Sequence, residues 1–211
     1  MKGMIVVSIL LINCFHWIGF HMTNQLLESG YKVDGIDQNS SHQQEQLSMF
    51  VGRNSSFSLL DKQNLNEYRY SIIVGSYSHI EQIQANHTLQ MTGSSDANNQ
   101  RNQAVIEIEM PLLFGEWMPM TEKGIYYRQQ FIPFDSPRFL LNAVYIKDFT
   151  NSLLQWMESH HLSHVKKVKT TRSNDADLKL ENTIYLRDNR PIHKQIEHVI
   201  DHYKRFKQFY E

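Results

Sequence analysis

Apolar and polar positions in the first part of the chain alternate between a strand-like pattern and a helix-like pattern. Residues 4–12 form a run of β-branched and other apolar side chains, typical of a buried strand in a parallel sheet. Residues 18–27 then carry apolar side chains at helical spacing, and Gly30 ends this predicted helix. Residues 31–36 predict a second strand, which Asp37 follows. The pattern predicts a β-α-β unit.

Weaker signals continue along the chain. Short strands are predicted at residues 57–60, 71–74, 105–110 and 144–146, and helices at 65–68, 148–158 and from 191 towards the end of the chain. The polar stretches 38–46 and 92–103 predict solvated loops, while Ile80, Ile83 and His87 could line one helical face. Strands that alternate with helices favour an α/β fold with a mainly parallel sheet flanked by helices.

The first apolar run has an alternative interpretation as a signal peptide or a short membrane anchor. Asn13, Cys14 and His16 interrupt it, its length is marginal for a membrane span, and no small-residue cleavage site follows. We therefore interpret the run as a buried strand and expect no membrane association.

The charge balance and the cysteine count of the chain restrict which classes of function are expected. The 211 residues are 41 % apolar and carry 21 basic and 22 acidic side chains, a formal net charge of −1. This balance gives no electrostatic reason to expect a nucleic acid as partner. The single cysteine, Cys14, excludes an internal disulfide framework, so we expect a reducing, cytoplasmic location.

Two segments near the start share an order of residues with a known family. Residues 12–21 read Ile-Asn-Cys-Phe-His-Trp-Ile-Gly-Phe-His, and residues 26–37 read Leu-Leu-Glu-Ser-Gly-Tyr-Lys-Val-Asp-Gly-Ile-Asp. Without a gap, they resemble Thr-Gly-Gly-x-Gly-Phe-Ile-Gly-Ser-His and Leu-Leu-x-x-Gly-x-x-Val-x-Gly-x-Asp. These motifs open the extended short-chain dehydrogenase/reductase family, in its NAD-dependent epimerase/dehydratase group. The chain resembles a shortened and degenerate member of that family.

Later segments resemble the same family in the same order. They are residues 58–61, 72–77, 110–116 and 144–148 and the helix from Pro191. The resemblance implies a Rossmann-like fold. It would divide into a shortened dinucleotide-binding region, residues 1–110, and a reduced C-terminal substrate-side region, residues 111–211.

The resemblance also implies where NAD would bind. In the family's glycine-rich turn, the glycines permit a tight turn, approach of the diphosphate and close packing of the helix. Here Asn13 and His16 replace the first two glycines, and Gly19 keeps the third. Asn13 tolerates a left-handed conformation, whereas His16 places a side chain where the diphosphate would lie. Asp37 would accept hydrogen bonds from the adenosine ribose; the alternative is that nothing binds and His16 fills the space.

Two further replacements concern the same cofactor. In the family, an acidic residue approaches adenine and a small residue lies beside the nicotinamide ribose. Ser58 and Tyr77 occupy these positions. The resemblance therefore implies weaker contact with adenine and a crowded nicotinamide ribose.

The family's catalytic pair, a Tyr and a Lys four residues later, has no counterpart at the expected place. It belongs between the fourth strand and the strand predicted at residue 105. The 27 positions 78–104 contain neither a tyrosine nor a lysine, and they are too few for two strand–helix units. Tyr203 and Lys207 have the right spacing, but Tyr203 lies on the apolar stripe of the last predicted helix. We predict no catalytic residue.

Candidate ligand residues remain in the second half. Trp117, Arg128 and Arg138 follow the segment that, in the family, helps to line the sugar-nucleotide pocket, although packing roles are an alternative for all three. His198 and His202 are four residues apart but lack a third ligand, so we predict no metal site.

The predicted function is therefore a non-catalytic protein that binds a nucleotide, a nucleotide sugar or a partner protein, with a homodimer as one option. The alternative is an active NAD-dependent epimerase or dehydratase with altered chemistry. Its base would then be a residue such as His79 or His87.

Overall fold

A computed structural model describes most of the chain. The described residues are 8–37, 41–61, 66–93, 105–159, 167–173 and 183–210. They fall into two compact units, Met1–Glu107 and Ile108–Glu211.

The first unit contains a parallel sheet with two helices. Its strands are β1 (Ser8–Ile12), β2 (Lys32–Ile36), β3 (Phe57–Leu59), β4 (Tyr68–Val74) and β5 (Ala85–Thr92), in the spatial order β3-β2-β1-β4-β5. Its helices are α1 (Trp17–Glu28) and α2 (His42–Val51). All four strand pairings are parallel, which confirms the predicted mainly parallel α/β architecture.

Helix α1 follows the predicted spacing. Ile18, Met22 and Leu26 are all buried and recur every four residues. Gly30, two residues after the helix, terminates it: its φ is +84°, and its N–H donates to the carbonyl of Leu27. This left-handed end is the reason that glycine stops the helix here.

Helix α2 corrects the prediction of a solvated loop at residues 38–46. Ser41 caps the helix, because its hydroxyl accepts from the backbone N–H of Gln44 while the Gln44 side chain accepts from the backbone N–H of Ser41. Such a reciprocal cap satisfies two helix-end donors. Leu47 and Val51 anchor the helix in the core, and residues 38–40 lie outside the described part.

The connection from β4 to β5 differs from the sequence prediction. In place of the helix face predicted through His87, it contains a three-residue 3₁₀ helix, Ile80–Gln82, and His87 lies in β5. The helix predicted at 65–68 is also wrong at its end, because Tyr68 begins β4; residue 65 itself lies outside the described part.

This connection covers the sheet with its own side chains. Tyr77 is buried against Leu10, Ile12 and Ile73, and partly buried Ile80 packs on the same cluster. A short loop therefore covers apolar strand residues that a crossover helix commonly covers in parallel sheets.

The second unit combines three small groups of strands. Its elements are β6 (Val105–Glu109, which begins in the first unit), β7 (Leu112–Phe114), β8 (Met120–Thr121), β9 (Gly124–Tyr127), β10 (Gln130–Pro133), α3 (Pro137–Asn142), β11 (Ala143–Tyr145), α4 (Ile146–Ser159), β12 (Lys167–Thr170), β13 (Thr183–Leu186), α5 (Ile192–Phe206) and a 3₁₀ helix, Lys207–Phe209. Strand β12 is parallel to β6 and β13, β7 is parallel to β11, and β8, β9 and β10 form an antiparallel meander.

The predicted helices of this unit are confirmed. Phe149, Leu153 and Met157 bury one side of α4, and Val199 and Tyr203 bury one side of α5. The strands predicted at 105–110 and 144–146 correspond to β6 and β11, whereas the sequence analysis did not predict β7–β10, β12 or β13.

None of the described helices has both the length and the apolar character that crossing a bilayer requires. Residues 1–7 of the first apolar run lie outside the described part.

Candidate functional site

The turn between β1 and α1 lies at the carboxyl end of the central strand of the first unit, where open α/β sheets bind their ligands. Asn13 adopts a φ of +59°, the left-handed conformation expected when it replaces glycine. Its backbone N–H donates to the carbonyl of Ile36 at 2.7 Å, and its side-chain amide donates to the carbonyl of Val74 at 2.7 Å. Asn13 thereby joins the ends of β2 and β4 to that of β1.

Gly19 holds the first turn of α1 against this loop. A Cβ atom at this position would lie 2.1 Å from the backbone oxygen of Asn13, so only glycine fits. The structure thus preserves the close packing for which the third glycine of a Rossmann turn is required.

His16 sits at the N-cap of α1 with an ordinary backbone conformation, φ −59° and ψ 142°. Its Nδ1 accepts a hydrogen bond from the backbone N–H of Ile18 at 3.4 Å. The side chain reaches solvent, yet the surrounding protein desolvates the ring and lowers the pKa of His16 to about 4. The imidazole is therefore neutral near neutral pH, with its proton on Nε2.

Asp37 contacts the turn itself. One carboxylate oxygen accepts from the backbone N–H of Phe15 at 2.7 Å, and the other accepts from the side-chain amide of Gln44 at 3.3 Å. The residue expected to bind ribose thus also fixes the turn and the start of α2.

Tyr77 and Ser58 have different environments in the first unit: Tyr77 is buried and Ser58 is exposed. Tyr77 is 6 % exposed and packs near Ile12 and Ile36, the last residues of β1 and β2. Burial, and then the charge of Glu81, raise the pKa of Tyr77. Ser58 is exposed on β3. The structure thus places a large, buried phenol near the carboxyl ends of β1 and β2.

Tyr203 and Lys207, which have the spacing of the family's catalytic pair, belong to the second unit. The connection from β4 to β5 comprises residues 75–84 only. Tyr203 lies buried in α5 and Lys207 begins the following 3₁₀ helix, both in the second unit. Among the described residues of the first unit, no helix carries a tyrosine and a lysine four positions apart.

The three predicted substrate residues have distinct environments in the second unit. Trp117 is 6 % exposed and stacks on Tyr210, with an interplanar angle of 23°, so its ring belongs to an aromatic cluster. Arg128 occupies the β9–β10 turn with its guanidinium 5.3 Å from the ring centre of Tyr127. Arg138 donates to the Gln130 side chain of the same hairpin. Arg128 and Arg138 thus flank one hairpin, whereas Trp117 lies buried in an aromatic cluster.

His198 and His202 do not converge. His198 Nε2 contacts a carboxylate oxygen of Glu116 at 3.0 Å, whereas His202 Nδ1 contacts the Tyr210 hydroxyl at 2.7 Å. The described residues contain no group of three potential metal ligands.

The sequence analysis missed the partners of His198. Glu116, Tyr145, Lys147 and His198 form one cluster, which we call the Glu116 cluster. Glu116, Tyr145 and Lys147 lie in residues 110–116 and 144–148, two segments that resemble family motifs. That resemblance was the sequence signal that could have drawn attention to these three residues. A buried carboxylate at Glu116 could not be recognised without the fold.

Comparisons with known proteins agree with this architecture. Neither protein-family models nor curated protein sequences match the chain. Among solved structures, dTDP-glucose 4,6-dehydratase from Bacillus anthracis str. Ames in complex with NAD is similar with a TM-score of 0.61 and 9 % identity, covering 97 % of this chain and 98 % of that one. A UDP-galactose 4-epimerase has a TM-score of 0.56 and 8 % identity, covering 94 % and 99 %. Vestitone reductase from alfalfa (Medicago sativa L.) has a TM-score of 0.51 and 10 % identity, covering 96 % and 99 %. At these identities the likeness shows the fold, and the predicted Rossmann-like fold is confirmed.

Proposed function

We propose that this chain, which has the fold of NAD-dependent epimerases, dehydratases and reductases, is a non-catalytic protein that binds the nucleoside phosphate part of a nucleotide or nucleotide sugar. The observation that carries the proposal is the intact β1–α1 turn, in which Asn13 takes the left-handed conformation and Gly19 keeps the close backbone contact. These features correspond to what the first and third glycines of a dinucleotide-binding turn provide, namely the tight turn and the close packing of helix and strand.

Polar groups at the turn support a nucleoside phosphate as ligand. The start of α1 supplies backbone N–H groups and the positive end of a helix dipole, which favour a phosphate. Neutral His16 adds an N–H donor at the same end. Asp37, which the resemblance assigns to the ribose, lies at the same turn, where it accepts from the backbone N–H of Phe15.

Two bulky side chains argue against an ordinary dinucleotide. His16 stands where the second glycine lets a backbone approach diphosphate, and Tyr77 fills space beside the carboxyl ends of β1 and β2. Among the described residues of the first unit, no helix carries a tyrosine and a lysine at the spacing of the family's catalytic pair, which supports a function without hydride chemistry.

Calorimetric titration with ADP, UDP, UDP-glucose, NAD and NADP tests the proposal. We expect a nucleoside diphosphate to bind at least about tenfold more tightly than NAD, a difference of about 1.4 kcal/mol. His16→Gly should strengthen NAD binding by a similar factor because it restores the approach of the backbone. His79→Gly, which removes an exposed imidazole of the same unit, is the matched control.

Two results would overturn this proposal. One is NAD binding to the unaltered protein as tightly as ADP, together with turnover of a nucleotide sugar, which would establish the active alternative. The other is the absence of heat with every nucleotide, in the unaltered protein and in His16→Gly alike.

Self-association is a second candidate function. Met49 and Phe50 of α2 are 65 % and 58 % exposed, and Leu59 of the edge strand β3 is 58 % exposed. Exposed apolar side chains beside a sheet edge favour association with another chain. Sedimentation of the unaltered protein and of Phe50→Gln tests it: a dimer that Phe50→Gln weakens is expected, and a monomer at all concentrations excludes a homodimer.

A further inference from the structure

Side chains near the starts of α1 and α2 form one chain of hydrogen bonds in the first unit. Both helices begin beyond the carboxyl ends of neighbouring parallel strands, α1 after β1 and α2 after β2. The chain of hydrogen bonds runs from Ser41 through Gln44 and Asp37 to the backbone N–H of Phe15. It therefore joins the cap of α2 to the turn at which we propose that a nucleoside phosphate binds.

The side-chain amide of Gln44 has one orientation that satisfies its neighbours. Its Oε1 accepts from the backbone N–H of Ser41 at 2.7 Å. An amide nitrogen cannot accept this hydrogen bond, so the NH2 group must point the other way, where Nε2 donates to Asp37 Oδ1 at 3.3 Å. Exchanging the two amide atoms would set an oxygen against the carboxylate and a donor against an N–H. The backbone of Ser41 thus determines that Gln44 presents a donor to Asp37.

The Asp37 carboxylate extends this constraint to the β1–α1 turn. Its Oδ2 accepts from the backbone N–H of Phe15 at 2.7 Å, at the short end of the range for N–H···O hydrogen bonds, as expected for a charged acceptor. Phe15 lies between the left-handed residue Asn13 and the N-cap residue His16. A displaced carboxylate would therefore change the direction of the backbone N–H groups at the start of α1.

The two interactions of Gln44 differ in the residue type that they require. Towards Ser41, Gln44 completes the reciprocal cap of α2, and glutamate serves that purpose as well as glutamine does. Towards Asp37 it supplies a hydrogen-bond donor, which an ionised glutamate lacks. Capping alone would accept either residue, whereas the contact with the carboxylate requires the amide.

We propose that Gln44 is a positioning residue for the β1–α1 turn. It holds the Asp37 carboxylate, which holds the Phe15 N–H in the arrangement that binds a nucleoside phosphate. This inference rests on the proposed function of the first unit. Gln44 acts through Asp37 and not by touching the ligand, so loss of its amide weakens binding while α2 stays capped.

Two substitutions separate the positioning role from the capping role. Gln44→Glu keeps the acceptor for the Ser41 N–H and suits the first turn of a helix, but it replaces the donor to Asp37 with a second carboxylate. Ser41→Ala, the matched control, removes the hydroxyl of the cap and leaves that donor in place. In calorimetric titration, Gln44→Glu should weaken ADP binding at least about tenfold, and Ser41→Ala should leave it within about twofold. A lower urea midpoint for Ser41→Ala would confirm that the control has lost its cap.

The amide proton of Phe15 reports on the same hydrogen bonds without any ligand. In the unaltered protein and in Ser41→Ala, its resonance should lie downfield, as expected for a short hydrogen bond to a carboxylate. Gln44→Glu should move it upfield, because the second carboxylate displaces Asp37. Circular dichroism establishes that each variant is folded; if Gln44→Glu does not fold, Gln44→Met, which also lacks the donor, replaces it.

The outcomes distinguish this inference from the proposal on which it rests. The inference is wrong if Gln44→Glu leaves either the Phe15 resonance or the affinity for ADP unchanged. It is also wrong if Ser41→Ala weakens ADP binding as much as Gln44→Glu does, since the cap would then explain the loss. An unaltered protein that binds no nucleotide refutes the nucleotide proposal and this inference together, whereas ADP binding that does not depend on Gln44 refutes this inference alone.

Discussion

At the residue scale, the β1–α1 turn depends on two positions with opposite requirements. Asn13 needs a side chain that tolerates the left-handed conformation and can donate to Val74. Gly19 needs the absence of a side chain, because the backbone oxygen of Asn13 occupies the place of a Cβ. The residue types at both positions were readable from the sequence, but the contact between them was not.

Gly19→Ala should destabilise the fold by about 3 kcal/mol, since the new methyl group would meet backbone atoms that cannot move alone. Gly30→Ala is the control: its site has φ +84° but no atom within 4 Å of the added Cβ, so only about 1 kcal/mol of backbone strain is expected. Urea unfolding of both variants measures the difference. Equal losses would contradict the close contact.

His16→Asn should make the protein less sensitive to acid. The folded-state pKa of His16, about 4, lies below its ordinary 6.5, so the unfolded chain binds the proton first as the pH falls. The stability that neutral His16 contributes is therefore present above about pH 6.5 and is lost as the pH falls towards about 4. Asparagine can still cap the helix.

Urea midpoints at about pH 7 and about pH 4.5 check this expectation. The unaltered protein should lose more between the two conditions than His16→Asn does. Parallel losses in both proteins would show that folding leaves the proton affinity of His16 unchanged.

At the element scale, the long helices and the predicted strands formed, whereas Tyr68 and His87, predicted in short helices, lie in strands. Helices α1, α4 and α5 each carry a buried stripe over more than two turns, so local pattern and packing agree. Strand β5 was missed because its neighbours in the sheet, not its own residues, determine it. Tyr70 of β4 stacks on His87 of β5, a contact that a helical reading of His87 could not contain.

Substitutions at Tyr77 test whether side chains of the β4–β5 connection stabilise the sheet that they cover. Tyr77→Ala should cost about 3 kcal/mol, because it removes the largest side chain that the β4–β5 connection places on the sheet. Tyr77→Phe keeps the ring and should cost less than about 1 kcal/mol. Thermal unfolding compares the two, and an equally severe loss in both would mean that the hydroxyl, rather than burial of the ring, matters.

At the scale of the whole molecule, ionisation of tyrosines reports on both units. Burial, and then the Asp34 hydrogen bond, raise the pKa of Tyr68 to about 12, and burial raises the pKa of Tyr145 and Tyr210. The folded chain thus holds these protons longer than the unfolded chain. The corresponding stability is present below about pH 10 and is lost as the pH rises through the folded-state pKa.

An alkaline titration followed by tyrosinate absorbance should therefore show two phases among the ten tyrosines. Tyr68, Tyr145 and Tyr210, whose pKa burial raises, should ionise in the late phase, together with loss of circular dichroism. Tyr68→Phe should diminish the late phase. A single phase near the ordinary tyrosine pKa would contradict burial of these phenols.

The sequence by itself determined the class of fold, since buried strands and amphipathic helices leave periodic signals that depend on neighbouring residues only. It also singled out Asn13, Gly19 and Asp37 as candidate site residues, because the order of residues around a β-α-β turn is local. Tertiary structure alone decided that Asp37 holds the turn through Phe15. It also decided that Trp117 lies buried in an aromatic cluster and that Glu116 joins His198 across 82 positions. Burial and long-range hydrogen bonds arise between distant segments, so no local pattern encodes them.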